Sequence, residues 1–416
     1  VKKSFLFLML VLSMSIFAQN ITVLHAGDTI LGDTTHFKMA EKMLLADYPS
    51  AKVTWVKIDL SNGSTLTMDA MLAAGTAPNI YFDTMVRASK YMVPEFALPL
   101  DKVIRDTNKY GKGVLAPYTK NGKLMALPTI GGAQGMLINL NIMKEIGYTI
   151  PKDWTIKEFL IMAEKVKKFY GGKKWATGMF AANQSGDYLL NAWFASFGVS
   201  FYKPGSYDTS IIADTGGAKV YEFYQLLAKN GYIPPNAASL NDDDYALEWQ
   251  KGNIAATAFF PNWTAGYFKS AIDQKQIEKE FDYIFIPFPK APGVKLVPTY
   301  ISNAALVVRN TGTSADAVAA RLAEYLNCAT IQGELAIGQA VVPNRIDVTK
   351  MSTNIHVQEV SAIVSTQGVQ DVGLTDPRFT ERRALQFPIL QQVLNFKLTP
   401  DEAIKLYQKK LSTIKL

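Results

Sequence analysis

Cysteine and histidine are almost missing from this sequence: Cys328 stands alone, and the three histidines are His25, His36 and His356. A single thiol excludes an intramolecular disulfide and any cysteine-rich metal site. Three scattered imidazoles leave little for histidine-based metal binding, so neither a metal nor a cofactor is expected. Blocks of like charge are missing too. The 43 Lys and Arg exceed the 36 Asp and Glu by enough for a net charge of +7, but they are spread along the chain without zinc-finger spacing. No nucleic-acid partner is expected. Heptads and a Gly-X-Y period are absent, which excludes coiled coil and collagen.

Catalytic signatures are equally scarce. There is no G-x-S-x-G elbow, no H-E-x-x-H, no G-x-x-x-x-G-K-[ST] loop and no G-x-G-x-x-G after the first strand. A glycosidase needs two carboxylates facing each other, and nothing marks such a pair. Asp242-Asp243-Asp244 lacks the glycine and distant glutamate of a calcium loop and reads as the acidic start of a helix. His25 and His36 flank the first loop and read as structural or solvated, and Cys328 as packing. The chain is not expected to be an enzyme.

What the sequence does have is apolar content. At 48% hydrophobic and 19% charged, the 416 residues are too apolar for disorder and long enough for two domains or one two-lobed unit. Lys2 and Lys3 precede an apolar run from Phe5 to Ala18, broken only by Ser13 and Ser15. That is the pattern of a secretory signal peptide over residues 1–18, too short for a comfortable membrane span. The mature protein is expected to be exported, soluble and without a lipoprotein cysteine.

Beyond it, strand and helix periods alternate. Ile21–Leu24, Lys52–Ile58 and Asn79–Phe82 read as strands, with helices over Thr34–Asp47 and Leu66–Ala74 between them. Short connections between such units imply a parallel sheet wrapped by helices. Thr155 with Glu158 and Thr399 with Glu402 are capping boxes that open two later helices, the first with Phe159, Met162, Ala163, Val166 and Phe169 on one face. Helices are also expected over Tyr221–Asn230, Asp244–Lys251 and Ser314–Leu326, and strands over Leu137–Asn139, Ile254–Phe259 and Tyr283–Ile286. No linker rich in Gly, Ser or Pro separates two domains.

Six short pieces, in order, carry a resemblance. Ala73-Ala74-Gly75-Thr76-Ala77-Pro78-Asn79-Ile80 resembles an A-A-G-x-x-P-D-[IV] turn, with Asn79 where Asp is usual. Leu98-Pro99-Leu100-Asp101 follows, then Gly122-Lys123-Leu124-Met125-Ala126-Leu127-Pro128 with Leu137-Ile138-Asn139. Next come Ile150-Pro151-Lys152-Asp153-Trp154-Thr155, then Gly252-Asn253-Ile254-Ala255-Ala256 with Pro261-Asn262-Trp263, and finally Thr399-Pro400-Asp401-Glu402-Ala403. Together they resemble the extracellular solute-binding proteins of ABC importers, in particular the sugar-binding family that includes maltose-binding protein. The resemblance implies an α/β, two-lobed periplasmic binding protein fold, each lobe a mostly parallel sheet flanked by helices, with a ligand cleft between the lobes. It implies lobes of residues 19–129 with 298–345 and of residues 130–297 with 346–416. It also implies a carbohydrate ligand, membrane permease subunits of an ABC transporter as partners, a periplasmic location and a monomer. Same-fold binding of a polyamine or peptide, or a secreted glycosidase, are the alternatives.

Open α/β sheets bind ligands at the carboxyl ends of their strands. On the implied fold this singles out Asp28 and Thr29 after the first strand, and Tyr81, Asp83 and Arg87 at the end of the third. It also singles out Asn262 and Trp263 after a later strand, with Trp263 in the place of the family's stacking tryptophan. Gln134 lies just past the first crossing between lobes, and Tyr300 and Asn303 at the return. Asn183, Tyr188 and Trp193 are the candidate contacts from the second lobe, Trp193 with a competing place in the core. Arg382 and Arg383 are expected in solvent; either one reaching the cleft would make an acidic sugar plausible.

Overall fold

A strand with sheet neighbours on both sides and helices on both faces has to be largely apolar, and Ile21, Val23 and Leu24 of one such strand and Ile80, Tyr81 and Phe82 of another are buried. The structure, a computed structural model, describes residues 19–26, 35–58, 64–111, 113–151, 154–200, 203, 212–258, 264–296, 298–302, 304–338, 342–348, 350–369, 373, 376 and 378–414. The apolar run of residues 1–18 lies outside them. Its strands are β1 (Asn20–His25), β2 (Lys52–Lys57), β3 (Ile80–Asp83), β4 (Thr119–Lys120), β5 (Lys123–Leu124), β6 (Leu127–Pro128), β7 (Gly131–Ala133), β8 (Met136–Asn139), β9 (Ala256–Thr257), β10 (Tyr283–Ile286), β11 (Tyr300–Ser302) and β12 (Ala305–Val308). Its helices are α1 (Thr35–Asp47), α2 (Ser64–Ala73), α3 (Met85–Ala88), α4 (Leu140–Glu145), α5 (Ile156–Tyr170), α6 (Asp187–Ser196), α7 (Gly217–Lys229), α8 (Asp242–Gln250), α9 (Thr264–Asp273), α10 (Ala315–Leu326), α11 (Ala329–Gly338), α12 (Ile355–Gln367), α13 (Phe379–Leu394) and α14 (Pro400–Leu411).

The first sheet has the order β2-β1-β3-β12-β6. β1 runs parallel to β2 and β3, and β12 is antiparallel between β3 and β6. Asn79 ties the start of β3 to β1: its backbone N–H donates to the Thr22 carbonyl and its side-chain Oδ1 accepts the Thr22 N–H, each at 2.9 Å. Asparagine thus makes the contact with its amide oxygen that the usual Asp would make with its carboxylate. Helices α1, α10 and α11 pack together on this sheet, and α3 lies on β3 and β12. The two early histidines are structural, buried beside Phe37, whose ring stacks on Trp55 at 4.5 Å.

The second sheet is β10-β8-β9. Its middle strand β8 is antiparallel to both neighbours, and Trp175 bridges in parallel to Ile254 just before β9. Helices α7, α13 and α14 pack on one another, and α12 lies across β7 and β10. Both expected capping boxes form. At α5 the Glu158 N–H donates to Thr155 Oγ1 at 3.3 Å and the Thr155 N–H to Glu158 Oε2 at 2.8 Å, and the Thr399–Glu402 pair repeats this at α14. Phe159, Met162, Ala163 and Val166 of α5 are buried as the spacing predicts. Phe169 is not; in the last turn it is 57% exposed, because the core ends before the helix does.

Three segments pass between the sheets side by side. β7 pairs antiparallel with β11, and the neighbouring Ile130 forms a bridge to Pro343. Gly135 follows this crossing with no room for a side chain: a Cβ there would lie 2.3 Å from Phe285 Cζ and 2.7 Å from the Ile286 carbonyl. The two-lobed fold accounts for the missing linker, since the chain crosses between sheets more than once.

Candidate functional site

Strand β3 ends on Asp83, which is fully buried with its carboxylate entirely engaged. Its Oδ2 accepts the Tyr81 hydroxyl at 2.7 Å, and its Oδ1 the Thr84 N–H at 2.6 Å. Arg87, one turn on, donates Nε to both oxygens at 3.0 and 2.9 Å and Nη2 to Oδ1 at 2.6 Å. The carboxyl end of a parallel strand flanked by the start of a helix is where the fold places a ligand contact. The residue spacing puts Arg87 on the same side of that helix as the acid. Tyr81 is buried and packs edge-on to Tyr91 at 5.1 Å, so it positions Asp83 from beneath. Burial alone would lower the Arg87 pKa; Asp83 outweighs it and, with Tyr81 and Tyr188 adding, holds the guanidinium above its ordinary value.

Tyr188 belongs to α6. Burial pushes the Tyr188 hydroxyl up, Arg383 and Arg87 pull it down, and the net is above the ordinary tyrosine value, which keeps it a neutral donor. The Arg383 guanidinium lies 4.9 Å from the Tyr188 ring centroid, in cation–π range. Arg383 donates Nε and Nη2 to Asp187 at 2.7 and 3.0 Å. Asn183, in the turn before α6, donates Nδ2 to Asp242 Oδ1 at 2.7 Å and accepts the Ser185 N–H at 3.1 Å. Asp242-Asp243-Asp244 form the first turn of α8, with Asn241 capping the Asp244 N–H at 2.8 Å, as expected of a helix start.

At the crossing, Gln134 is buried, and its backbone N–H donates to the Thr299 carbonyl at 2.8 Å. Its Nε2 donates to the carbonyl of Ala258, which ends the strand region around β9.

The expected contacts therefore divide. Asp83 and Arg87 form one acid–arginine pair with Tyr81 beneath, Tyr188 lies beside the Asp187–Arg383 pair, Asn183 holds Asp242, and Gln134 sits at the crossing. Trp193 is a correction: it is 1% exposed, packed against Phe159, Phe223 and Phe288 at 5.2, 4.6 and 5.2 Å, and so belongs to the core. Arg382 and Arg383 are a second correction. Both are buried, because they lie on the same face of α13 as Phe379, Gln386, Ile389 and Val393. Asp187, the partner of Arg383, is the residue sequence reasoning missed. Asp28, Thr29, Asn262, Trp263 and Asn303 lie outside the described residues, as does the side chain of Tyr300, whose backbone is on β11. A separate groove of about 690 Å³ runs along Ile156, Leu160 and Ile161 of α5 beside Phe197 and Pro292; it includes none of these polar clusters.

Solved structures share this architecture. The cyclic alpha-maltosyl-1,6-maltose binding protein from Arthrobacter globiformis matches with a TM-score of 0.76 at 15% identity, over 95% of this chain and 98% of that one. The sugar-binding protein MalE from Xanthomonas citri matches with 0.75 at 14% identity, over 94% and 96%. UgpB from Mycobacterium tuberculosis, in complex with glycerophosphocholine, matches with 0.74 at 16% identity, over 94% and 97%. At such identities the likeness is one of fold. No curated protein sequence matches. The family model for bacterial extracellular solute-binding proteins matches residues 42–359, and the chain belongs to that family, whose role is to bind a solute outside the cytoplasm rather than to transform it.

Proposed function

We propose that this protein captures a carbohydrate between its lobes and delivers it to the permease of an ABC transporter. The lobes are taken as residues 19–129 with 298–345 and residues 130–297 with 346–416. The observation that supports the reading is the pair of buried acid–arginine clusters, Asp83 with Arg87 at the carboxyl end of β3 and Asp187 with Arg383 beside Tyr188, together with the crossings that join the two sheets. Planar polar groups suit the hydroxyl edges of a sugar, and an aromatic ring suits its C–H faces. Two of the similar structures are named for sugar ligands.

The mechanism is closure. Contacts that both lobes make with one ligand exist only when the lobes are together, so the ligand shifts the population toward the closed form. The permease would read that form. On the family resemblance, Trp263 supplies the stacking face and Asn262, Asp28, Thr29, Tyr300 and Asn303 further contacts. A thermal-shift screen against neutral and acidic sugars tests the reading, since a ligand that binds only the folded state raises the melting temperature. A sugar that raises it supports capture; a flat response across the panel, with polyamines or peptides raising it, replaces the ligand class.

A further inference from the structure

Helix α5 buries Phe159, Met162, Ala163 and Val166 and turns a second apolar stripe outward. Ile161 is 45% exposed and Phe169 57%. Lys157, Ile161, Lys165 and Phe169 follow one another at intervals of four, so they share one side of the helix. Beside them opens the groove of about 690 Å³, with an almost wholly apolar wall built by Ile156, Leu160, Phe197 and Pro292. Lys157, Lys165 and Lys168 line the same groove against one acid, Glu164. That acid is shared: it accepts the Tyr232 hydroxyl at 2.7 Å and lies 3.7 Å from the Lys168 ammonium. The Lys168 side chain itself is 75% exposed. More cations follow at the helix end. Lys173 is exposed, and Lys174 lies over the Tyr170 ring at 4.8 Å. Glu145, which meets this end, is occupied by the Tyr170 hydroxyl at 2.6 Å.

We propose that this face of α5 docks on a bilayer carrying anionic lipid, with Ile161 and Phe169 set into the boundary between headgroups and acyl chains and the lysines on lipid phosphates. A helix with aromatic and aliphatic residues on one face and lysines beside them lies in the plane of an anionic membrane surface. Lysine suits this place, because its aliphatic stem runs along an apolar wall while the ammonium reaches out. The single sign of the charge selects the occupant. A layer of phosphates complements all three groove lysines at once, whereas a neutral apolar protein surface would leave them unmatched. Two apolar side chains and a handful of lysines make a weak, reversible attachment, which keeps an exported protein at the membrane surface without fixing it there. None of the cleft residues takes part, so the inference stands or falls apart from the carbohydrate reading.

The test is co-sedimentation of the mature protein with vesicles of phosphatidylcholine alone and of equal parts phosphatidylcholine and phosphatidylglycerol, each at low and high salt. Binding to the anionic vesicles is expected to exceed binding to the neutral ones by about ten-fold or more, and to fade as salt rises. The double variant Lys165→Gln with Lys168→Gln should weaken it by about twenty-fold, at about five-fold for each lysine. The double variant Ile161→Ser with Phe169→Ser should weaken it several-fold with no change in charge. Both pairs of positions are exposed, and a circular-dichroism melt like that of the wild type confirms folding. Equal binding to the two kinds of vesicle, or wild-type binding by either double variant, overturns the inference. So does a lack of binding to anionic vesicles at low salt. If sedimentation velocity then shows a dimer that Ile161→Ser with Phe169→Ser abolishes, the face belongs to a second copy of the chain and not to lipid.

Discussion

Arg383 closes a two-point ion pair on Asp187, with Nε and Nη2 at 2.7 and 3.0 Å from the two carboxylate oxygens, across 196 residues of sequence. The pair joins α13 to the first turn of α6 and sets Arg383 beside the Tyr188 ring. Removing one partner of a buried pair leaves the other as an uncompensated charge. Asp187→Asn is expected to destabilise the protein by about 3–5 kcal/mol in urea titration. Replacing both residues with apolar ones of similar volume should recover much of that loss. A near-zero effect for the single variant would show that the pair is not buried in solution.

Tyr81 acts on the cleft through Asp83. Tyr81→Phe removes the hydroxyl that donates to the carboxylate at 2.7 Å and leaves the ring packing on Tyr91. Loss of a hydrogen bond to a charged group costs about 1.5–3 kcal/mol. The expected outcome is a lowered melting temperature together with weaker ligand binding, since Arg87 loses its fixed partner. A stability loss with unchanged affinity would mean that Asp83 needs no support from Tyr81.

Gly135 makes the crossing possible by being small. Gly135→Ala drives a methyl into the Phe285 ring and the Ile286 carbonyl, on the strand β10 that must stay paired to β8. Overpacking of this kind costs about 1–3 kcal/mol. A chemical-denaturation midpoint equal to that of the wild type would show that β10 yields at no cost.

The third crossing is anchored by charge and should respond to pH. Hydrogen bonds from Arg345 hold the Asp347 carboxyl below its ordinary value of 3.8, against burial that opposes them. A folded-state pKa below the unfolded one contributes stability above the unfolded value, and that contribution is lost as pH falls through the folded value. The difference in urea midpoint between wild type and Asp347→Asn should be constant at about pH 5–6 and shrink below about pH 4. A difference that stays constant down to acid unfolding would show that Asp347 is not paired.

The readable parts of the fold were those governed by local rules. The Thr155–Glu158 and Thr399–Glu402 boxes and the strand Tyr283–Ile286 follow from neighbours within a turn. The helix α7 begins at Gly217, a turn before the expected Tyr221, because Gly216-Gly217 reads as a break. The hardest element was α13. Its buried face contains Arg382, Arg383 and Gln386 among Phe379, Ile389, Leu390 and Val393, so an apolar periodicity cannot show it. Spacing of three and four from Phe379 to Arg382 and Arg383, and on to Gln386 and Ile389, was the available signal. The same lack of locality hid Asp187, whose partner is far away in sequence. Asp83 and Arg87 were legible because strand end and following turn are adjacent in the chain.

Closure around ligand is the claim on which the rest depends, and small-angle X-ray scattering reads it directly. The protein is measured alone and saturated with whichever sugar of the panel raises its melting temperature most. A smaller radius of gyration in the saturated sample is the expected result, because both lobes must contact one molecule. Identical scattering curves at saturation, with binding confirmed by calorimetry on the same sample, would contradict capture by closure.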